Sequence, residues 1–411
     1  MLHARVCAIL GIGLMLTPAT TGARELELAI GQRIGADSNV FRQQDDERED
    51  GFYEFAPSLV VREARTDDLI YSLRYGPRYR AFFDTDGIDG WDHGQSARLQ
   101  WQATPRDQLS LDQSFSSTRT RRLEAGFGDS ALEASDRDRV QRTRLNAGYS
   151  HAFTPRWSGR LGLEFEDLDF DAAGNVDNRA YGGSVGANYA VFETTSVGLS
   201  ASGRFRESRG LESRNELSSE NVSGSIAASF SHAFSPSLDL SFQIGPSIIR
   251  SEPDAETVDA TTDVSFFATA AMEKRWRQAS FSISYTRSES GGAGAVTSQI
   301  LDAVDVSLAY DPRPDWHFDL LGRWNRRETL SDLNLGGLPF NVGTQQDSQI
   351  FQVFLRGSHR LTKRISLRGE LSYQNQETEQ SFSISSAESS RTIETFAGFL
   401  SLRYLFDPWI F

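Results

Sequence analysis

Six histidines, one stretch of spaced aspartates and a long series of arginines are the residues whose chemistry must be accounted for first in this 411-residue chain. His151, His232 and His359 each sit three to four residues before a short polar break, and His317 follows one. Equivalent positions in separate units cannot converge on one metal or activate one nucleophile. His93 lies apart from them, with no serine at a motif spacing. FGDSAL from Phe127 contains Gly-Asp-Ser, but it lacks the strand, tight turn and helix that a nucleophile elbow needs. The pattern therefore predicts no enzyme.

DTDGIDGWD places Asp84, Asp86, Asp89 and Asp92 around two glycines. Carboxylates so spaced are a calcium candidate, because Ca²⁺ takes six to eight oxygens. Ile88, however, stands where a calcium loop needs its third side-chain oxygen, and Asp89 where it needs glycine. A hydrated turn is the expectation, with no metal and no cofactor.

The arginines carry the stronger signal. Arg74, Arg78, Arg80, Arg142, Arg144, Arg204, Arg206, Arg323, Arg356 and Arg368 all fall in alternating runs, and all on the polar phase. In LIYSLRYGPRYRAFF, Leu69, Tyr71, Leu73, Tyr75, Tyr79, Ala81 and Phe83 alternate with Ser72, Arg74, Gly76, Arg78 and Arg80. Period two puts the two sets on opposite faces of a strand. Arg98, Glu164, Asp239, Gln243, Gln352 and Glu370 belong to the same polar phase.

The elements that position these residues follow from the same periodicity. It predicts strands over 24–36, 51–63, 69–83, 95–103, 108–120, 140–153, 157–170, 178–192, 196–207, 219–234, 238–250, 261–276, 279–288, 300–310, 316–328, 348–361, 365–377 and 391–406. Short connections alternate with longer ones rich in Gly, Asp, Ser and Asn, and the recurring unit is a hairpin. In hydrocarbon an open sheet edge would leave backbone groups unpaired at several kcal/mol each, so such a sheet must close. The expected fold is all-β: one transmembrane antiparallel up-and-down barrel of about 18 strands, within 16–18, both termini periplasmic. A barrel of that width has room for an aqueous channel, and inward arginines would steer anions through it. They could equally pair with carboxylates and fill the lumen.

Phe153, Trp157, Phe192, Phe234, Trp276 and Trp316 flank short turns, as a membrane girdle of aromatics would. Phe411 ends the chain as an assembly signal would, although Asp407–Pro408 interrupts the alternation before it. Either that signal tolerates the break, or Trp409–Phe411 is a short tail in the periplasmic interface.

MLHAR followed by an apolar run and a Thr21-x-Ala23 site reads as a signal peptide over residues 1–23, leaving a barrel over 24–411. The only cysteine, Cys7, would leave with it. The formal charge is −14 and becomes about −15 without Arg5, which excludes the basic face that nucleic acid requires. Asp45–Asp50 is an acidic surface loop that could bridge divalent ions to lipopolysaccharide. The expected partners are outer-membrane lipid, lipopolysaccharide and the barrel assembly machinery.

IGQRIGADSNVFRQQ, FAPSLVVRE and LIYSLRYGPRYRAFFD together resemble the β-barrel porin type 2 family. The wording is concentrated in the first 60 or so mature residues, around Asp37-Ser38-Asn39-Val40-Phe41-Arg42. The resemblance implies an outer-membrane channel linked to exopolysaccharide export, with polysaccharide and periplasmic export components as partners. It brings no catalytic residue. The competing expectation is a non-conducting structural or interaction barrel with a filled lumen.

Overall fold

Alternation becomes structure because every second side chain of each run can meet lipid while its neighbours meet water or one another. The computed structural model describes residues 23–41, 47–66, 68–85, 87–119, 139–171, 177–209, 218–253, 260–291, 298–329, 344–382 and 388–410. Its strand segments in chain order are β1 (Ala23–Asp37), β2 (Asp50–Thr66), β3 (Leu69–Tyr75), β4 (Arg78–Phe82), β5 (Gly90–Thr104), β6 (Asp107–Thr118) and β7 (Val140–Ala152). They continue as β8 (Trp157–Phe170), β9 (Asp177–Phe192), β10 (Thr195–Arg209), β11 (Ser219–Ser235), β12 (Leu238–Pro253) and β13 (Thr261–Arg275). The last are β14 (Ala279–Gly291), β15 (Ser298–Arg313), β16 (Trp316–Thr329), β17 (Thr344–Arg360), β18 (Ile365–Phe382), β19 (Glu388–Leu405) and β20 (Trp409–Ile410).

Each strand pairs antiparallel with its sequence neighbours, and β1 closes the sheet against β19 from Ala29↔Leu405 to Asp37↔Ala397. β3 and β4 both run between β2 and β5. They are two halves of one strand, interrupted at Gly76–Pro77 because Pro77 has no N–H to give the ladder. β20 is a two-residue extension. The wall therefore has eighteen strands, as the periodicity requires.

The structure corrects several boundaries. The run expected as one strand over 69–83 is the broken pair β3 and β4. The strand expected from 95 begins at Gly90, and those expected over 348–361 and 365–377 extend to Thr344 and Phe382. Asp407–Pro408 does not end the ladder either. Phe406 N–H donates to Leu28 O at 3.0 Å, and Trp409 and Ile410 resume pairing against Leu26 and Glu25. Residues 1–22, Asp86 and Phe411, which carry the expected signal peptide, part of the aspartate cluster and the assembly signal, lie outside the described residues.

The exterior is apolar: Leu161, Leu163, Val185, Leu199, Ile226, Ile244, Leu320, Leu355, Leu371 and Leu400 are all exposed. The interior of the same strands is Ser, Gly, Gln, Arg and Glu. A closed wall with that polarity is the inverse of a soluble protein, and it satisfies its backbone internally. The chain is a β-barrel of the bacterial outer membrane.

Candidate functional site

The inner wall is organised around carboxylates that each hold several guanidiniums. Glu54 on β2 is fully buried. Its register partners are Arg33 on β1 and Arg80 on β4, so both arginines face it directly. Arg80 Nη2 donates to it at 2.7 Å, Arg33 Nη1 lies at 3.2 Å and Arg78 Nε at 3.4 Å. Arg33 also stacks over Phe399 and Arg80 over Phe52, each at 4.7 Å. These flat cations tolerate the partly apolar wall because a ring face receives them.

A second node forms on β8. Glu166 accepts from Arg142 Nη2 at 2.5 Å, from Arg144 Nε at 3.1 Å and from Arg204 Nη2 at 2.9 Å. Glu164 adds a longer contact to Arg204 at 3.4 Å. At each node three arginines converge on one carboxylate. A third node is smaller: Glu370 accepts from Arg356 at 3.0 Å and from Arg368 at 3.1 Å. Arg323 pairs with Asp305 at 2.5 Å, and Arg206 lies 3.7 Å from Glu289. Arg74 makes no ion pair among the described residues.

Arg74, Arg78, Arg142, Arg144 and Arg368 line one lumenal cavity of about 1160 Å³. It runs from the short turns at Pro314 and Lys363 to the wall at Gln95, Ser114 and Ser116. Five of the ten arginines of the polar phase thus share one cavity. Beside that space the wall is packed. Val40, Phe52, Phe82 and Phe399 form a buried apolar cluster, with Phe41 and Ile88 against it.

The element Asp37-Ser38-Asn39-Val40-Phe41 closes the barrel seam. Ser38 N–H donates to Phe396 O at 2.8 Å, Ser38 Oγ accepts from Phe396 N–H, and Asn39 Nδ2 donates to Glu394 O. Asp37 Oδ1 accepts from Asn39 N–H in return. These contacts tie β1 to β19 where the sheet must join itself, and give the polar residues of the element a structural role.

Phe153, Trp157, Phe192, Phe234, Trp276 and Trp316 are all exposed at the short-turn ends of their strands. The histidines near them have separate partners. His151 Nδ1 lies 2.6 Å from Asp107, His232 Nδ1 2.8 Å from Thr195 Oγ1, and His359 stacks on Trp316 at 4.2 Å. Asp107 also accepts from Thr104 and Tyr149. His317, at the lumen mouth, lies 2.6 Å from Asp311 and 2.9 Å from Asp319.

Two aspartates of the calcium candidate, Asp89 and Asp92, are turned to backbone amides. Asp89 accepts from Phe82 N–H and Asp92 from Arg119 N–H, while Asp84 N–H donates to Asp50. Among the described residues no three His, Cys, Asp or Glu side chains gather to hold a metal.

Sequence reasoning passed over Glu54 and Glu166, the hubs of the two nodes. Both are in phase with the inward arginines, and that phase was the signal that could have found them.

No family model matches this chain, and no curated protein does. Among solved structures it is similar to OccAB4 of Acinetobacter baumannii at 10% identity and TM-score 0.41, covering 93% of this chain and 98% of that one. OpdQ of Pseudomonas aeruginosa aligns at 10% identity and TM-score 0.40, covering 94% and 98%. The alcaligin receptor FauA of Bordetella pertussis aligns at 10% identity and TM-score 0.45, covering 92% and 76%.

Proposed function

We propose that this barrel is a passive channel for an anionic hydrophilic solute or polymer. The observation that carries the reading is the lining of the large cavity, where Arg33, Arg74, Arg78, Arg142, Arg144 and Arg368 outnumber the acidic lining residues Asp311 and Asp315 in a chain whose formal charge is −14. Three guanidiniums around Glu54, three around Glu166 and the unshared Arg74 turn a negative protein positive where a solute would pass. Arginines fixed by a carboxylate keep their charge and their position, and give a positive potential without a mobile side chain in the path. An exopolysaccharide bearing carboxylates fits this chemistry, and the family resemblance of the first strands points the same way. Periplasmic export components would then meet the short-turn mouth, around His317 and Lys363. No covalent step belongs to this function.

The test is planar-bilayer recording of the folded mature protein under a salt gradient, with the reversal potential as readout. Open steps with anion preference support the channel. Silence from inserted protein supports the second reading, a structural barrel with a filled lumen. The buried cluster of Val40, Phe52, Phe82 and Phe399 favours that second reading.

A further inference from the structure

The barrel wall is split on one side. β12 and β13 pair along their whole length, as far as Ser251↔Thr261. β13 and β14 pair only from Arg275↔Ser280 to Ala268↔Arg287. Above that point residues 262–267 of β13 make no ladder pair with β14 among the described residues, while β14 stays paired with β15 to Gly291↔Ser298. There the outer end of the β14–β15 hairpin, still paired to β16 as far as Gln299↔Thr329, parts from β13 and leans inward. Glu289 reaches Arg206 on β10 at 3.7 Å, both side chains nearly buried, and Ile300 and Leu301 are buried.

This departure leaves a slot at the outer end of the wall. Its lower corner is built. Arg287 lies over the Phe266 ring at 4.6 Å and donates to Asp302 at 2.6 Å, and Tyr285 Oη donates to the same carboxylate at 2.7 Å. On the outer face beside the slot, Val264 and Phe266 are exposed.

A second cavity, of about 330 Å³, lies behind the slot. Phe266 and Phe267 both line it although they point to opposite faces of β13, so it wraps around the free edge of that strand. Its lumenal wall is made of small hydroxylated and glycine positions, among them Ser202, Ser223 and Ser225, with Glu164 and Arg204 beside them. Glycines and serines leave the wall flat and present hydroxyls at close spacing. One end of the space is therefore polar with paired donors and acceptors, and the other opens past an aromatic ring toward the outer leaflet.

We propose that this slot and cavity form a lateral binding site for a glycolipid. The sugar head occupies the serine-lined cavity, and the acyl chain leaves past Phe266 into the outer leaflet. The site is independent of conduction, so its failure and a failure of the channel reading are separate results.

The experiment uses the mature protein in phosphatidylglycerol vesicles doped with alkyne-tagged digalactosyl diacylglycerol or, in parallel, alkyne-tagged phosphatidylglycerol. A photo-crosslinking benzoylphenylalanine replaces Ser225 in the cavity, Ser114 on the opposite inner wall, or Val264 on the outer face. The expected result is capture of the glycolipid at 225 and not at 114. Phospholipid capture at 225 falls by roughly tenfold, the discrimination that one or two unmet hydrogen bonds give. The pair Phe266→Cys and Glu289→Cys, which would face each other if the ladder continued, zips the slot when oxidised and abolishes capture at 225. Capture at 264 alone, in protein thereby known to be inserted, would overturn the proposal. So would equal capture of both lipids at 225.

Discussion

Arg142 on β7 and Glu166 on β8 lie 2.5 Å apart on the inner wall, and the same carboxylate also holds Arg144 and Arg204. One glutamate on β8 thus fixes cations from two other strands, β7 and β10. Removing it leaves three guanidiniums facing one another in a partly dry space. Glu166→Gln is expected to cost about 3 kcal/mol, the scale for breaking a buried ion pair by deleting one partner. Glu54→Gln should cost a similar amount. The readout is the temperature at which the folded, fast-migrating band is lost in electrophoresis, which should fall for both variants.

Arg74 contrasts with these nodes. It lines the large cavity and has no ion pair to lose among the described residues. Arg74→Glu should leave thermal stability within about 0.5 kcal/mol of the parent, as for substitutions away from packed features. It should shift the reversal potential under a salt gradient toward cations. Equal loss of stability would mean that Arg74 is structural.

Two glycines separate close approach from empty space. A Cβ on Gly245 would lie 1.8 Å from Ile226 O and 2.6 Å from Ala227 Cα, both backbone atoms. A Cβ on Gly322 would meet nothing within 4 Å. Gly245→Ala should cost about 1–3 kcal/mol or prevent folding, in the range of an overpacked site. Gly322→Ala should be close to neutral. Refolding yield into detergent, compared between the two, checks this.

The strands were legible because lipid and lumen impose period two on every one of them, and the eighteen runs needed no long-range information. The break at Gly76–Pro77 was written in Pro77 itself, but the tyrosine alternation of Tyr75 and Tyr79 carries across it and hides it. The arginine face was legible by phase. Its hubs, Glu54 and Glu166, were not, because a single in-phase glutamate gives no local sign that three arginines from other strands converge on it. The split between β13 and β14 lay beyond sequence reasoning altogether. Both runs alternate well, and only the pairing between them stops, which is a property of neither segment alone. The inward phenylalanines Phe52, Phe82 and Phe399 break the polar-in rule, and they do so where the DSNVF element seals the barrel seam.

A water path bordered by fixed positive charge is what sets this barrel's proposed function. The most direct measurement is the single-channel reversal potential of the mature protein in a planar bilayer under a tenfold KCl gradient. Stable open steps are expected, with a reversal potential displaced toward that of chloride, and a smaller displacement for Arg74→Glu. Cation-selective steps, or silence from protein shown by protease protection to be inserted, would contradict it.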